Sequence, residues 1–314
     1  MSLDDAARTA VEQCMALEAD ESCAIITDDK RWDIGKALYD TASEITDDVT
    51  ITCYPVGNQH GEEPPASVAA AMAAADVVLA PTTKSLSHTR ARGNANEEGA
   101  RIATLPGITK EVMITGLAAD YETIDQHCTD VLAQVEGAEE IRVTTEAGTD
   151  ITFEPGDREW FDDTGLCHDP GDFTNLPAGE VFVSPENVNG KYVVDGTMRP
   201  HGLLEDGQTL EFEVEGGSVT EISDDEIREQ VETASEEVGQ DAYNLAELGI
   251  GTNVAVSELV GSVLLDEKAG GTVHIAIGDD AGIGGDTDAP LHLDGIIREP
   301  TVYADGEEVE LPQP

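Results

Sequence analysis

Apolar residues recur along this chain in two rhythms. Over the first 135 or so residues, stretches with helical spacing alternate with short apolar runs. The helical stretches are Asp4 to Leu17, the set Trp32, Ile34, Leu38 and Ile45, and the alanine-rich Ser67 to Ala75; the runs are Cys23 to Ile26, Val49 to Cys53 and Val77 to Ala80. Strands separated by helices predict a parallel sheet with helices on its faces. No GxGxxG follows the first run, so a dinucleotide site has nothing to rest on. From about Glu140 the rhythm becomes period two with glycine-containing turns: Ile141 to Thr144 with Ile151 to Phe153, Leu210 to Val214 with Val219 to Ile222, and a last hairpin in Thr301 to Leu311 turning at Ala304-Asp305-Gly306. These read as antiparallel hairpins. An acidic helix, Asp224 to Val238, interrupts them, and a second is expected from Val256 to Asp266. The pattern predicts an α/β N-terminal domain with a parallel sheet over residues 1–135. Residues 136–314 are expected to form an α+β domain of mostly antiparallel strands.

Charge narrows the partners. Among 314 residues there are 66 acidic and 16 basic side chains, a formal net charge of −50. Phosphate backbones need clustered Lys and Arg, so nucleic acid is excluded, and an anionic membrane surface is excluded by the same sign. Such a charge repels itself unless salt screens it; at molar salt the Debye length is about 3 Å. The expectation is a protein of a salt-saturated cytoplasm. A hydrophobic content of 39% with periodic segments argues for a folded chain rather than an acidic disordered one. The five cysteines, Cys14, Cys23, Cys53, Cys128 and Cys167, are widely spaced without a CxxC pair, as expected of reduced cytosolic thiols. No apolar run approaches the roughly 18 residues of a membrane span.

With about one residue in five acidic, histidine is the more informative residue. His60, His127 and His201 lie in polar or ambiguous surroundings and are set aside. His274 lies within the apolar run Val273 to Gly278, on the face opposite Val273 and Ile275. His292 and Asp294 stand two apart, so a strand points both to one side; they form either an ordinary hydrogen-bonded pair or two ligands of one cation. Glu180 opens the strand Val181-Phe182-Val183, and Glu247 sits in Leu245-Ala246-Glu247-Leu248-Gly249. An uncompensated charge in either place would cost several kcal/mol. Together the two histidines and three carboxylates are enough to hold two divalent cations with open positions.

The segments Asn175-Leu176-Pro177-Ala178-Gly179-Glu180-Val181-Phe182, Glu247-Leu248-Gly249-Ile250-Gly251, His274-Ile275-Ala276-Ile277-Gly278 and His292-Leu293-Asp294 occur in the order seen in the aminopeptidase T and aminopeptidase S metallo-aminopeptidases, which this chain resembles over most of its C-terminal half. The resemblance implies that Glu180, Glu247, His274, His292 and Asp294 bind a pair of divalent metals, zinc or cobalt, in a homodimer. Those peptidases carry a tyrosine seven residues after the histidine of the third segment, thought to assist the transition state, where this chain has Ala281. Losing a phenolic donor to an oxyanion removes about 2–4 kcal/mol of stabilisation, which implies altered activity. More distantly the chain is similar to the 2,5-dihydroxypyridine dioxygenases, a shorter offshoot of the same fold holding ferrous iron through a His-x-Asp pair and one further histidine. A histidine there matches Glu247, and the resemblance gives no counterpart for Glu180 or His274.

The segment Pro81 to Arg92 follows the third apolar run, hence a carboxyl edge of the sheet, where α/β ligand sites collect. It holds Lys84, Arg90 and Arg92 with His88. It reads either as a loop closing over a polar substrate with His88 as proton carrier, or as a basic patch paired with the acidic surface or with a second copy. The expected function is a cytosolic metal-dependent aminopeptidase-like hydrolase of small peptides, with Glu180 accepting a proton. A mononuclear Fe(II) ring-cleaving dioxygenase and a non-catalytic metal-binding relative are the alternatives.

Overall fold

Five parallel strands make the sheet of the first of two units in the computed structural model, which describes residues 1–314. The first unit comprises Met1–Asp125 and Asp163–Ala178, the second Gln126–Asp162 and Gly179–Pro314. Strands β1 (Cys23–Asp28), β2 (Val49–Tyr54), β3 (Val77–Thr82), β4 (Arg101–Pro106) and β5 (Phe173–Asn175) lie in the order β2-β1-β3-β4-β5. Every residue of β1 and β3 is buried, as a continuous apolar run requires when both faces of a sheet are covered. Helices Ala66–Ala73 and Arg90–Glu97 supply part of that cover through Val68, Met72, Ala91 and Ala95, packed with Ile26, Val78 and Ile102. The first helix runs Leu3–Arg8 and continues as π-helical turns over Thr9–Cys14.

Strand order reverses between β1 and β3, the place where open α/β sheets leave a crevice. Here Asp28, at the end of β1, accepts hydrogen bonds from the Thr83 hydroxyl (3.0 Å) and the Lys30 N–H (2.9 Å). The segment carrying His88 leaves β3 at this carboxyl edge.

The second unit contains two seven-stranded sheets. One is built from the hairpins read in the sequence, with Tyr192 and Phe212 paired across strands and stacked at 4.5 Å. The other contains β6 (Glu180–Val183), β7 (Leu245–Gly251), β8 (Val273–Gly278) and β9 (His292–Ile297), adjacent in the order β9-β8-β7-β6 and antiparallel throughout. The expected helix from Val256 to Asp266 is a single turn, Val263–Asp266. Two features stop it from starting earlier. Gly261 takes a positive φ of 81°, and the buried Asp266 carboxylate accepts the N–H groups of Val260 (2.9 Å) and Gly261 (2.8 Å), drawing the preceding chain into a loop. The acidic helix forms as expected, Asp225–Val238, capped by the Asp224 carboxylate on the Glu226 and Ile227 N–H groups. No helix is long and apolar enough to cross a membrane.

Candidate metal centre

Strand alternation places Glu180 on β6, Glu247 on β7, His274 on β8, and His292 and Asp294 on β9. The registers bring them onto one face: Glu247 and Asp294 both oppose Ala276, Glu180 opposes Gly251, His274 opposes Gly249 and His292 opposes Gly278. Small residues between the donors are what make the hollow. A Cβ on Gly249 would lie 2.0 Å from the His274 imidazole, and one on Gly251 would lie 2.1 Å from the Ala269 carbonyl oxygen.

The five side chains form two donor groups that share Glu247. Glu180, Glu247 and His274 make an inner, fully buried group; Glu247, His292 and Asp294 make an outer group that is partly accessible. Within each group the donor atoms lie within 4.8 Å of one another. Glu247 spans both, with Oε1 3.2 Å from His274 Nε2 and Oε2 3.2 Å from His292 Nε2. Asp294 Oδ1 is 3.1 Å from His292 Nε2, and Glu180 Oε2 is 3.4 Å from His274 Nε2. His292 Nδ1 donates to the Asp279 carbonyl at 2.7 Å, which leaves Nε2 with its lone pair toward the carboxylates when the ring is neutral.

Titration follows from burial and crowding. Burial pushes the Glu180 carboxyl up to about 8 against the opposing pull of Lys268 and His274. Burial acts on Glu247 the same way, but hydrogen bonds from His274 and His292 outweigh it and hold the carboxyl below the usual range. Asp294 is likewise held low by His292 despite burial. Burial opposes the charged form of both histidines, yet the carboxylates raise His274 to about 9 and His292 well above its ordinary value. Without a metal the centre is thus held together by imidazolium protons.

The donors fit a divalent cation. Glu180 Oε2 is buried without a hydrogen-bond partner, and three carboxylates converge with two imidazoles whose protons a metal can replace. Two further residues belong to this centre and escaped the sequence reading, Glu267 and Lys268. Lys268, 4% exposed, pairs through Nζ with Glu180 Oε1 and, at 3.0 Å, with Glu267 Oε1. A signal was present: a lysine following Asp266-Glu267 at the end of an apolar turn and ahead of Gly270-Gly271, six residues before His274.

His88 is exposed on the turn before helix Arg90–Glu97 in the first unit. Its basic neighbours are engaged there: Arg90 with Glu63, and Arg92 with the Ser87 carbonyl, with Asn96 and over the Phe173 ring at 4.3 Å. His201 pairs with Asp224 at 3.1 Å and His127 lies 3.3 Å from the Thr252 carbonyl.

The family model NicX: 2,5-dihydroxypyridine 5,6-dioxygenase matches residues 5–310. This is the likeness that the sequence motifs placed second. Among solved structures the chain is similar to 2,5-dihydroxypyridine dioxygenase from Pseudomonas putida KT2440, with a TM-score of 0.78 and 20% identity over 98% of this chain and 94% of that one. It is also similar to wild-type AmpT from Thermus thermophilus, with a TM-score of 0.71 and 17% identity over 98% of this chain and 99% of that one. At these identities the two structures share its fold. No curated protein matches the chain.

Proposed function

The chain belongs to the NicX 2,5-dihydroxypyridine 5,6-dioxygenase family; within that family we propose that it departs from ring cleavage and is a metal-dependent hydrolase that removes N-terminal residues from small peptides. The observation that carries this reading is the composition of the accessible donor group. Ferrous oxygenases of the facial-triad kind use two histidines and one carboxylate. Here the outer group has one histidine and two carboxylates, Glu247, His292 and Asp294, and the second imidazole, His274, lies in the inner group. That composition departs from the two-histidine, one-carboxylate triad of those oxygenases.

Glu247, His292 and Asp294 would hold the metal, which when bound lowers the pKa of water and polarises a carbonyl. Glu180 is the proton acceptor: Oε1 is tied to Lys268, Oε2 accepts no hydrogen bond and lies 3.4 Å from His274 Nε2, and a carboxyl poised near neutrality is suited to general-base work. His274, between Glu180 and Glu247, holds both carboxylates in place. The free amine of a peptide is a cation, and the acidic centre attracts it.

Leucine amide or a dipeptide, offered in molar KCl with zinc or cobalt, tests the reading. Amine release that disappears with a chelator and in Glu180→Gln supports it; full turnover by Glu180→Gln overturns it. The second reading, ring cleavage with ferrous iron, is favoured by the family match over residues 5–310. It requires oxygen uptake with 2,5-dihydroxypyridine, which hydrolysis does not consume.

A further inference from the structure

Asp280 ties together the ends of the strands that carry the donors. It lies two residues past β8 and is 4% exposed. Its Oδ2 accepts from the Ser184 hydroxyl (3.0 Å), just past β6, and from Asn244 Nδ2 (2.8 Å), just before β7. Its Oδ1 accepts the Thr287 N–H at 2.7 Å, within the loop that leads to β9. Gly285 is packed so closely on this carboxylate that a Cβ there would lie 2.0 Å from Cγ. All three donors are neutral, so hydrogen bonds alone compensate the carboxylate for its burial.

The loop closes without that side chain. The N–H groups of Asp280 and Ala281 both reach the Thr287 carbonyl at 3.0 Å, and the Gly285 N–H reaches the Asp280 carbonyl at 2.9 Å. What the carboxylate adds is a fixed place, against the ends of β6 and β7, for the peptide that precedes it. The Asp279 N–H donates to the Leu291 carbonyl at 2.8 Å, and the Asp279 carbonyl accepts from His292 Nδ1 at 2.7 Å. A metal-ligating histidine takes its orientation from such an acceptor. His274 has close packing instead, with its side chain 1% exposed, whereas the His292 side chain is 33% exposed and depends on the hydrogen bond.

We propose that Asp280 is a positioning residue of the centre: through Ser184 and Asn244 it holds the Asp279 carbonyl at the sheet edge, and that carbonyl aims His292 Nε2 at Glu247 and Asp294. The effect on metal affinity rests on the reading of this centre as a metal site. The hold on His292 belongs to the metal-free chain as well.

The test compares the full chain with Asp280→Asn and with Asp288→Asn, which removes an exposed carboxylate from the same loop. Two quantities are measured in molar KCl: the His292 Nδ1–H resonance of metal-free, ¹⁵N-histidine-labelled protein, and the zinc affinity by competition with a chelating dye. A slowly exchanging resonance is expected in the wild type and Asp288→Asn, and its loss in Asp280→Asn. Zinc should bind about 10–100-fold more weakly to Asp280→Asn, and within about threefold of wild type to Asp288→Asn. A folded Asp280→Asn that keeps the resonance overturns the proposal whatever its affinity. Equal losses of affinity in the two variants also overturn it, because charge alone would then be the cause. A wild type that binds no zinc overturns the metal reading and leaves the resonance to decide the role of Asp280. Should Asp280→Asn fail to fold, Ser184→Ala replaces it and removes one of the three donors. It is expected to speed exchange of the Nδ1–H; exchange at the wild-type rate overturns the proposal.

Discussion

Gly249 lies directly across the β7–β8 pair from His274, and the imidazole occupies the space where any side chain at position 249 would begin. A Cβ there would stand 2.0 Å from Cε1 and Nε2, the ring atoms that face Glu180 and Glu247. The ring cannot retreat, because it is 1% exposed and packed inside the sheet face. Gly249→Ala is therefore expected to destabilise the fold by about 1–3 kcal/mol, the usual range for overpacking a filled core. It should also weaken the hold of His274 on the two carboxylates. Urea unfolding in high salt gives the first quantity. A variant as stable as the wild type would show that the ring is not fixed over the glycine.

Surface charge leads to a second expectation. A net charge of −50 repels itself at low ionic strength, and raising salt from 0.1 M to 1 M shortens the Debye length from about 10 Å to about 3 Å. The midpoint of thermal unfolding should rise with KCl over this range, and most of the rise should be absent when sucrose replaces the salt. Differential scanning calorimetry in both series checks it. Equal stabilisation by salt and sucrose would remove charge screening as the cause.

Much of this was legible because period-two and helical rhythms are printed directly in side-chain order. Glu180, Glu247, His274, His292 and Asp294 stood out as polar residues inside apolar strands, where only a site or a compensating partner accounts for them, and the sheet brings all five onto one face. Lys268 and Glu267 did not stand out. They sit beside a one-turn helix rather than on a strand, and a Glu-Lys pair in so acidic a chain looks like solvated surface; only the loop geometry shows the ammonium folded inward onto Glu180. The shortened helix at Val263–Asp266 was hidden for a related reason. Its apolar spacing is helical, but the Asp266 carboxylate competes for the N–H groups that earlier turns would need. The return of Phe173–Asn175 to the parallel sheet is a pairing between distant segments, which local rhythm does not encode.

The protonation of the centre sets the sign of its pH response. In the metal-free protein the carboxylates raise His274 from 6.5 to about 9, and His292 moves in the same direction. A histidine whose folded pKa is raised contributes stability that is complete below its unfolded value, near 6.5, and is lost as the pH climbs through the folded value. Burial raises Glu180 from 4.5 to about 8, so the folded state prefers its protonated form, and ionisation over that interval also favours unfolding. Glu247 and Asp294 are held low, and the stability they contribute is lost only in acid, as the pH falls below the ordinary carboxylate range. The metal-free protein should therefore lose stability steadily from about pH 6.5 to pH 9. Zinc held by Glu247, His292 and Asp294 requires the His292 imidazole without its proton, so its apparent affinity should rise with pH as that ring deprotonates. Thermal unfolding with and without saturating Zn²⁺, measured across pH 6 to 9 at constant KCl, should show the metal-free midpoint falling and the gap between the two curves widening. A gap that stays constant would mean that metal and protons do not compete for His292, and that the ion binds somewhere other than this face of the sheet.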